Sequence, residues 1–219
     1  MERLVKKLRI STTIELISGL HIGGNSASVE IGGIDNEVIK IATKRNQPYI
    51  PGSSLKGKMR CLLEQISGSK EVGGNPDVNK LFGFCPKDDK KDSASDKSLV
   101  TRLIVRDSYL TQESIVLLKE CGDNLDMPYT ENKYENSIDR VTGKASNPRQ
   151  TERIPAGVSF DVEFVINVWE SDQADDLLAL LKKGIKALEN DYLGGSGSRG
   201  YGQVKFGELT IENITFDSK

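Results

Sequence analysis

Two short segments of this chain combine glycines with hydroxyl and basic side chains, the residue types that bind phosphate groups. The first, "PGSSLKGKMR" (51–60), fits the G-x-x-x-x-G-K part of a nucleotide-binding P-loop. It has Met59 where that motif needs Ser or Thr to coordinate magnesium. Leu55 and Met59 also follow a helical period, which places Gly57 and Lys58 inside a helix. Nucleotide hydrolysis therefore stays open only as a weaker interpretation.

The stronger interpretation of this segment is a helix start that holds a phosphate group. Free N–H groups at a helix N-terminus attract anions, and Ser53 or Ser54 is a suitable N-cap. Lys56 and Arg60 are four residues apart, so they lie on one side of the helix beside its start. An ordinary solvated helix face is the alternative for this pair of cations.

The second segment, "YLGGSGSRGYGQV" (192–204), holds five glycines, two serines and an arginine. Glycine permits positive φ and a close approach of the backbone to a ligand. Part of it, "RGYGQVKF", is similar to the RNP pattern of RNA-recognition domains, but Gln203 stands where a base-stacking aromatic is expected. We therefore do not expect standard stacking of bases on the sheet, and a flexible connecting loop is the alternative. The candidate phosphate contacts are Gly195, Ser196, Gly197 and Arg199.

Two further glycine-rich stretches carry a histidine and an aspartate. "GLHIGG" (19–24) contains His21, and "GGIDNEVIK" (32–40) contains Asp35. Taken alone, His21 is a hydrogen-bonded loop or core residue and Asp35 a turn residue. His21 is the single histidine of the chain, which excludes two-histidine acid–base schemes and most histidine-based zinc sites. Three widely separated cysteines form neither a disulfide framework nor a zinc knuckle.

The composition indicates a soluble globular protein with local basic surfaces. Of the 219 residues, 37% are hydrophobic, and the net charge is −2. No apolar run approaches the ~20 residues that span a bilayer, and the N-terminus lacks a signal-peptide core, so we expect a cytoplasmic protein without membrane contact. Acidic residues concentrate in 86–97 and 170–176, whereas 139–153 is rich in cations. Such patches suit a defined anionic ligand, and 86–97 has the composition of a mobile segment.

The periodicity of apolar residues predicts the elements that position these motifs. Alternation predicts strands over 8–16 and 158–168, and 99–110 is a third, partly apolar strand. Helical spacing predicts one helix after Pro51-Gly52 and another over 174–188. A final strand follows from Val204 to Ile211, with a bulge at Gly207-Glu208.

The order of these elements, β-α-β-β-α-β, predicts an α+β fold of ferredoxin-like or RRM-like type, with four antiparallel strands and two helices on one face. We assign residues 1–219 to one domain. Its core covers about 7–17, 53–67, 99–110 and 157–216, and its long insertions cover about 18–52, 67–98 and 111–156. Insertions of this length are typical of functional loops.

In combination, four features resemble the multi-copy backbone subunit of the Csm-type (type III-A) CRISPR interference complex, within the RAMP superfamily. These are the glycine loop after strand one, the "IPGSSLKGKMR" helix start, the insertion "YTENKYENSIDRVTGKASNPRQTERIPAGVSFD" and "LGGSGSRGYGQV". The resemblance runs from about residue 8 to 207.

The resemblance implies an RRM-derived subunit that stacks head to tail along a guide crRNA, beside other Csm-type subunits, in antiviral defence. The insertion around 128–156 resembles a thumb that wedges between guide and target RNA, and the other insertions are lid-like. The positions that match RNA-backbone contacts of the family are His21, Ser53, Ser54, Lys56, Arg60, Gly195, Ser196, Gly197 and Arg199. Arg140, Arg149 and Arg153 of the thumb become candidate contacts to phosphate or to a neighbouring subunit.

The aspartate of the family's G-x-I-D segment, Asp35 here, is implied to be required for metal-dependent cleavage of target RNA. We expect Asp35 to orient or deprotonate a ribose 2′-OH, directly or through a divalent metal, Mg²⁺ being the expected ion. The metal ligands are unknown. Candidate helpers without specific support are Asp107, Glu131, Glu135 and Glu152. The alternatives are a backbone subunit that binds crRNA without nuclease activity and a purely structural filament protein.

Overall fold

The structure is a computed structural model that describes residues 2–24, 36–85 and 99–216. Asp35 and the acidic stretch 86–97 lie outside the described residues. The strands are β1 (Leu4–Leu16), β2 (Lys40–Ile41), β3 (Gln47–Ile50), β4 (Leu103–Val105), β5 (Ser108–Leu110), β6 (Glu131–Ile138), β7 (Ala145–Arg153), β8 (Ser159–Trp169), β9 (Val204–Phe206) and β10 (Thr210–Thr215). The helices are α1 (Gly52–Ile66), α2 (Pro76–Phe82), α3 (Gln112–Glu120) and α4 (Ala174–Glu189).

The main sheet has the predicted ferredoxin-like topology. Its strand order is β10-β1-β8-β5-β3-β2, with β4 also paired to β8 and β9 also paired to β1. All these pairs are antiparallel. If β4 and β5 are taken as the second core strand and β9 and β10 as the fourth, the order is fourth, first, third, second. The β-α-β-β-α-β prediction is therefore confirmed.

The helices α1 and α4 bury their apolar stripes on one face of this sheet. Leu55 and Met59 of α1 and Leu181 of α4 are fully buried, together with Phe160 of β8. The two helices approach closely because α4 has Gly184 at the crossing, where an added Cβ would lie 3.3 Å from Leu63 Cδ1. The opposite face of the central strands carries polar side chains, including the ion pairs of Arg9 with Glu163 and Glu212.

Two predicted strands are each divided in the structure. The strand predicted over 99–110 is β4 followed by β5, because Arg106-Asp107 interrupts the pairing with β8. The register slip predicted at Gly207-Glu208 is confirmed: Phe206 pairs with Ile14 and Thr210 with Ser11, so three residues of the last strand face two residues of β1. Residues 207–209 separate β9 from β10, and both strands pair with β1 at different places.

The insertions contain further elements that the sequence patterns did not reveal. Helix α2 lies in 67–98, and its N-cap Asn75 accepts hydrogen bonds from the N–H groups of Asp77 and Val78. Helix α3 and the hairpin of β6 and β7 lie in 111–156. We call this hairpin, residues 131–153, the thumb hairpin.

Gly57 tests the helical assignment of the P-loop-like segment. It lies inside α1, it is exposed, and an added Cβ would meet nothing within 4 Å. We expect Gly57→Ala to raise the free energy of unfolding by about 0.5–1 kcal/mol, since alanine is the better helix former. Thermal unfolding should show the gain. A lower melting temperature would contradict the assignment. Gly52→Ala is the control and should destabilise the protein, because its Cβ would overlap the Val105 carbonyl oxygen.

Candidate functional site

Three motifs that are distant in the sequence lie against one another at one end of the sheet. They are the loop after β1 (17–24), the glycine-rich segment 192–203, here called the glycine loop, and the base of the thumb hairpin. Gly195 N–H donates to the His21 carbonyl (2.8 Å), and Gly202 N–H donates to the Gly19 carbonyl (2.9 Å). Leu20 and Ile154 exchange two backbone hydrogen bonds of 2.9 and 2.8 Å. The fold therefore joins the predicted site residues of these three segments.

His21 lies at the centre of this junction and is half-buried. Its Nδ1 is 2.7 Å from the carbonyl oxygen of Glu152. Because a carbonyl oxygen can only accept, Nδ1 carries the hydrogen and donates it. This bond fixes the ring orientation and leaves Nε2 as the second polar atom of the ring.

Glu152 ties the thumb hairpin to the segment that follows Asp35. Its side chain is fully buried, and its carboxylate accepts the N–H of Val38 (2.8 Å) and the hydroxyl of Thr130 (2.6 Å). The ammonium of Lys40 is also paired with it. The Glu152 N–H donates to the carbonyl of Asn36, the residue after Asp35 (3.2 Å). Glu152, a candidate helper in catalysis, thus holds the backbone in place.

The thumb hairpin is largely exposed toward its tip. Asp139 shapes the turn by accepting the N–H of Val141 (3.0 Å) and both the N–H and the hydroxyl of Thr142 (2.6 and 2.9 Å). These bonds from Thr142 and Val141 lower the pKa of the Asp139 carboxyl below its usual value. Arg140 lies exposed beside the turn, and Arg149 is exposed on β7, where it donates to Ser137 Oγ (3.3 Å). Both cations are accessible to an anionic ligand.

The other two predicted arginines of this region are engaged within the protein. Arg153 Nε lies 2.7 Å from Glu131 Oε1, and its guanidinium lies 5.3 Å from the centre of the Tyr201 ring. Arg199 donates to Ser196 Oγ (2.6 Å), and its Nε is 3.4 Å from Glu135 Oε2. A phosphate at either guanidinium would share it with a carboxylate.

Glu135 links the thumb hairpin to the glycine loop through opposite charges. Burial by itself would raise the pKa of its carboxyl, but the hydrogen bond and charge of Lys133, with the charge of Arg199, hold the pKa below its usual value. Burial, followed by the nearby Glu135 carboxylate, raises the pKa of the Tyr201 phenol. Glu135 is therefore ionised and Tyr201 neutral at neutral pH.

The start of α1 differs from the prediction at the N-cap. The N-cap residue is Pro51 in an extended conformation, and no side chain of its own caps the helix. Ser53 and Ser54 lie within the first turn, so their prediction as N-caps was wrong. Instead, Asp107 from the break between β4 and β5 accepts the Gly52 N–H (2.8 Å). Asp107 thus acts as a cap supplied from elsewhere in the chain.

Lys56 and Arg60 lie on the same side of α1, but they bind other parts of the protein. Lys56 Nζ donates to Thr101 Oγ1 and to the Leu103 carbonyl, both at 2.8 Å. Arg60 donates to Glu64 (3.0 Å) and to Asn79 of α2 (3.3 Å). Burial, with a smaller effect of Arg60, lowers the pKa of the Lys56 ammonium. The two cations attach the 67–85 insertion and β4 to α1.

Lys58, which the sequence patterns did not single out as a site residue, is the cation of α1 that contacts the start of the glycine loop. Its Nζ lies 2.8 Å from Asp191 Oδ2 and 3.7 Å from the centre of the Tyr192 ring. The sequence does contain a signal for this contact. Lys58 is two residues from Lys56, a separation of about 200° around a helix, so Lys58 lies on the side of α1 opposite Lys56.

Two features are absent from the described parts of the chain: a cluster of metal-ligand side chains and a membrane-spanning helix. Within residues 2–24, 36–85 and 99–216, no three His, Cys, Asp or Glu side chains are grouped in a way that could hold a metal ion. In the same ranges, no helix combines the length and the apolar character needed to cross a membrane.

Known proteins share the sequence pattern and the fold of this chain. The sequence matches the RAMP superfamily over residues 13–205. It is 41% identical to the CRISPR system Cms endoribonuclease Csm3 of Streptococcus thermophilus, over 95% of this chain and 90% of that protein. The protein of the same name from Methanocaldococcus jannaschii is 42% identical, over 96% of this chain and 84% of that protein.

Solved structures show the same architecture. A chain of the Csm3-Csm4 subcomplex in the type III-A CRISPR-Cas interference complex matches with a TM-score of 0.59 and 29% identity, over 97% of this chain and 82% of that one. A chain of the Type III-B Cmr-beta complex bound to cognate target RNA shares the fold, with a TM-score of 0.63 at 15% identity, over 96% of this chain and 61% of that one. The chain therefore belongs to the Csm3 family of the RAMP superfamily.

Proposed function

We propose that this protein is the backbone subunit of a type III-A CRISPR interference complex, where it binds guide crRNA and cleaves complementary target RNA. The observation that carries the proposal is the convergence of the His21 loop, the glycine loop and the thumb base on one surface. Relatives at 41% and 42% identity are named CRISPR endoribonucleases, which supports the activity.

The surface suits the sugar-phosphate backbone of RNA better than its bases. The glycine loop offers backbone groups at close range, and Arg140 and Arg149 offer exposed cations. Contacts of this kind fix the position of a strand and carry no sequence information. The guide strand itself would read the target by base pairing.

For cleavage, we propose that Asp35 orients or deprotonates the 2′-OH next to the scissile phosphate. The 2′ oxygen attacks that phosphorus as its proton leaves, the bond to the 5′ oxygen breaks, and the departing 5′ oxygen takes up a proton from water, which leaves a cyclic phosphate and a 5′-OH. The nucleophile belongs to the RNA, so the protein's task is to hold the geometry and move one proton.

A divalent metal, expected to be Mg²⁺, is part of the proposal through the family resemblance alone. The described carboxylates near the thumb base do not fit a metal site, because Glu131, Glu135 and Glu152 are each paired with a cation of the protein. Glu131, Glu135 and Glu152 are therefore not proposed as metal ligands.

The proposed partners are guide crRNA, target RNA, further copies of this chain in a head-to-tail filament and other Csm-type subunits. The solved Csm3-Csm4 subcomplex, one of whose chains this protein resembles, supports association with other subunits. A head-to-tail contact that does not close into a ring can repeat from copy to copy, so it allows several copies to line up along one guide.

The test uses the assembled complex with two target RNAs, one all-ribose and one with 2′-deoxyribose at the scissile position. We expect both to bind and only the first to be cut, leaving a cyclic phosphate end. Binding of the all-ribose target without cleavage would support the alternative of a non-cleaving crRNA-binding subunit. Particles purified without RNA would overturn the proposal as a whole.

A further inference from the structure

The ring of Tyr192 contacts both an ammonium group and a glycine backbone. Lys58 Nζ lies over the ring, 3.7 Å from its centre, within reach of a cation–π interaction. On Gly197, an added Cβ would overlap the ring carbons of Tyr192, so the backbone of Gly197 rests directly on the ring. Tyr192 therefore joins α1 to the glycine loop.

The ring itself is held in place from the rest of the fold. Lys58 is anchored by Asp191 at 2.8 Å, next to Tyr192 in the chain. The residue after Tyr192, Leu193, is buried, and its N–H donates to the Gly202 carbonyl (2.8 Å). The ring of Tyr192 is thus held in a fixed position, and the backbone of residues 195–199 can pack against it.

This packing matters because the backbone of the glycine loop is strained at Ser196. This residue has φ of 61° and ψ of 25°, the left-handed region that a non-glycine residue adopts only when its surroundings enforce it. Two contacts flank it: Gly195 N–H is bonded to the His21 carbonyl, and Gly197 rests on Tyr192. Removal of the contact between Gly197 and Tyr192 would leave the backbone after Ser196 without this support.

We infer that Tyr192 is a positioning residue, whose ring, held by Lys58, sets the backbone conformation of residues 195–199 and thereby the affinity for RNA without contacting the RNA through its hydroxyl. This inference rests on the proposed function of the glycine loop as a phosphate contact.

The test is the affinity of the full-length chain for a single-stranded RNA of fixed length, with thermal unfolding of each variant measured in parallel. Tyr192→Leu should weaken binding about tenfold, the change expected when one strained residue must be ordered on binding. Tyr192→Phe keeps the ring and should bind as wild type. Gly197→Ala, in a surface loop, should weaken binding to a similar extent without unfolding the protein.

The double variant of Tyr192→Leu with Gly197→Ala distinguishes positioning from direct contact. Because both changes break the same contact, their effects should not multiply. Three results would each overturn the inference. Tyr192→Phe could lose as much RNA affinity as Tyr192→Leu, the two losses of affinity could multiply in the double variant, or Tyr192→Leu could bind RNA as tightly as wild type. Failure of the wild-type chain to bind RNA would instead overturn the proposed function and, with it, this inference.

Discussion

Asp35→Ala is expected to lower the rate of target RNA cleavage by about 10²–10⁴-fold, the range that a positioned general base contributes. RNA binding should stay close to wild type, because the other proposed backbone contacts remain. The measurement is single-turnover cleavage of a guide-paired target by the assembled complex, together with the affinity of the same complex for that target.

The matched control for this substitution is Asp161→Ala, which removes an exposed aspartate from the polar face of β8. It should leave both cleavage and binding unchanged. If Asp35→Ala lost binding in proportion to cleavage, Asp35 would be a structural residue of the segment before β2. If it cleaved at the wild-type rate, another group would have to move the proton.

The strongest periodic patterns of the sequence predicted the fold because they are local. The alternation from Val158 to Val168 and the helical spacing from Leu55 to Ile66 each predict which face is buried. The structure buries both faces except for Ile66, which is exposed at the end of α1. The division of the strand predicted over 99–110 was not predictable in this way. It depends on Asp107 reaching the start of α1, a contact between residues 55 positions apart.

The sequence indicated the candidate site better than it indicated the partners of the individual cations. Lys56 and Arg60 are on one helix face, as four-residue spacing requires, and Arg60 also pairs with Glu64 one turn further along α1. Their other acceptors lie in α2, at Thr101 and in β4. Arg153 and Arg199 likewise meet carboxylates of the thumb hairpin, Glu131 and Glu135. Spacing along one helix or loop contains no information on such distant partners, so exposure of a cation could not be predicted from it.

Removal of the buried carboxylate at the junction, by Glu152→Ala, is expected to lower the free energy of unfolding by about 3–5 kcal/mol, the cost of breaking a buried ion pair from one side. The substitution leaves the Val38 N–H and the Thr130 hydroxyl without their acceptor and Lys40 without its counterion. Urea unfolding of the full-length chain at neutral pH measures the loss.

Two controls separate the burial of Glu152 from its charge. Glu152→Gln keeps one carbonyl acceptor but loses the ion pair, so it should lower the free energy of unfolding by less than Glu152→Ala does. Glu212→Ala removes an exposed carboxylate paired with Arg9 and should change stability by at most about 0.5 kcal/mol. An alanine variant at 152 as stable as the one at 212 would contradict the role of Glu152 in holding residues 36–40 to the thumb base. Because these residues directly follow Asp35, a destabilised junction should also slow cleavage more than it weakens RNA binding.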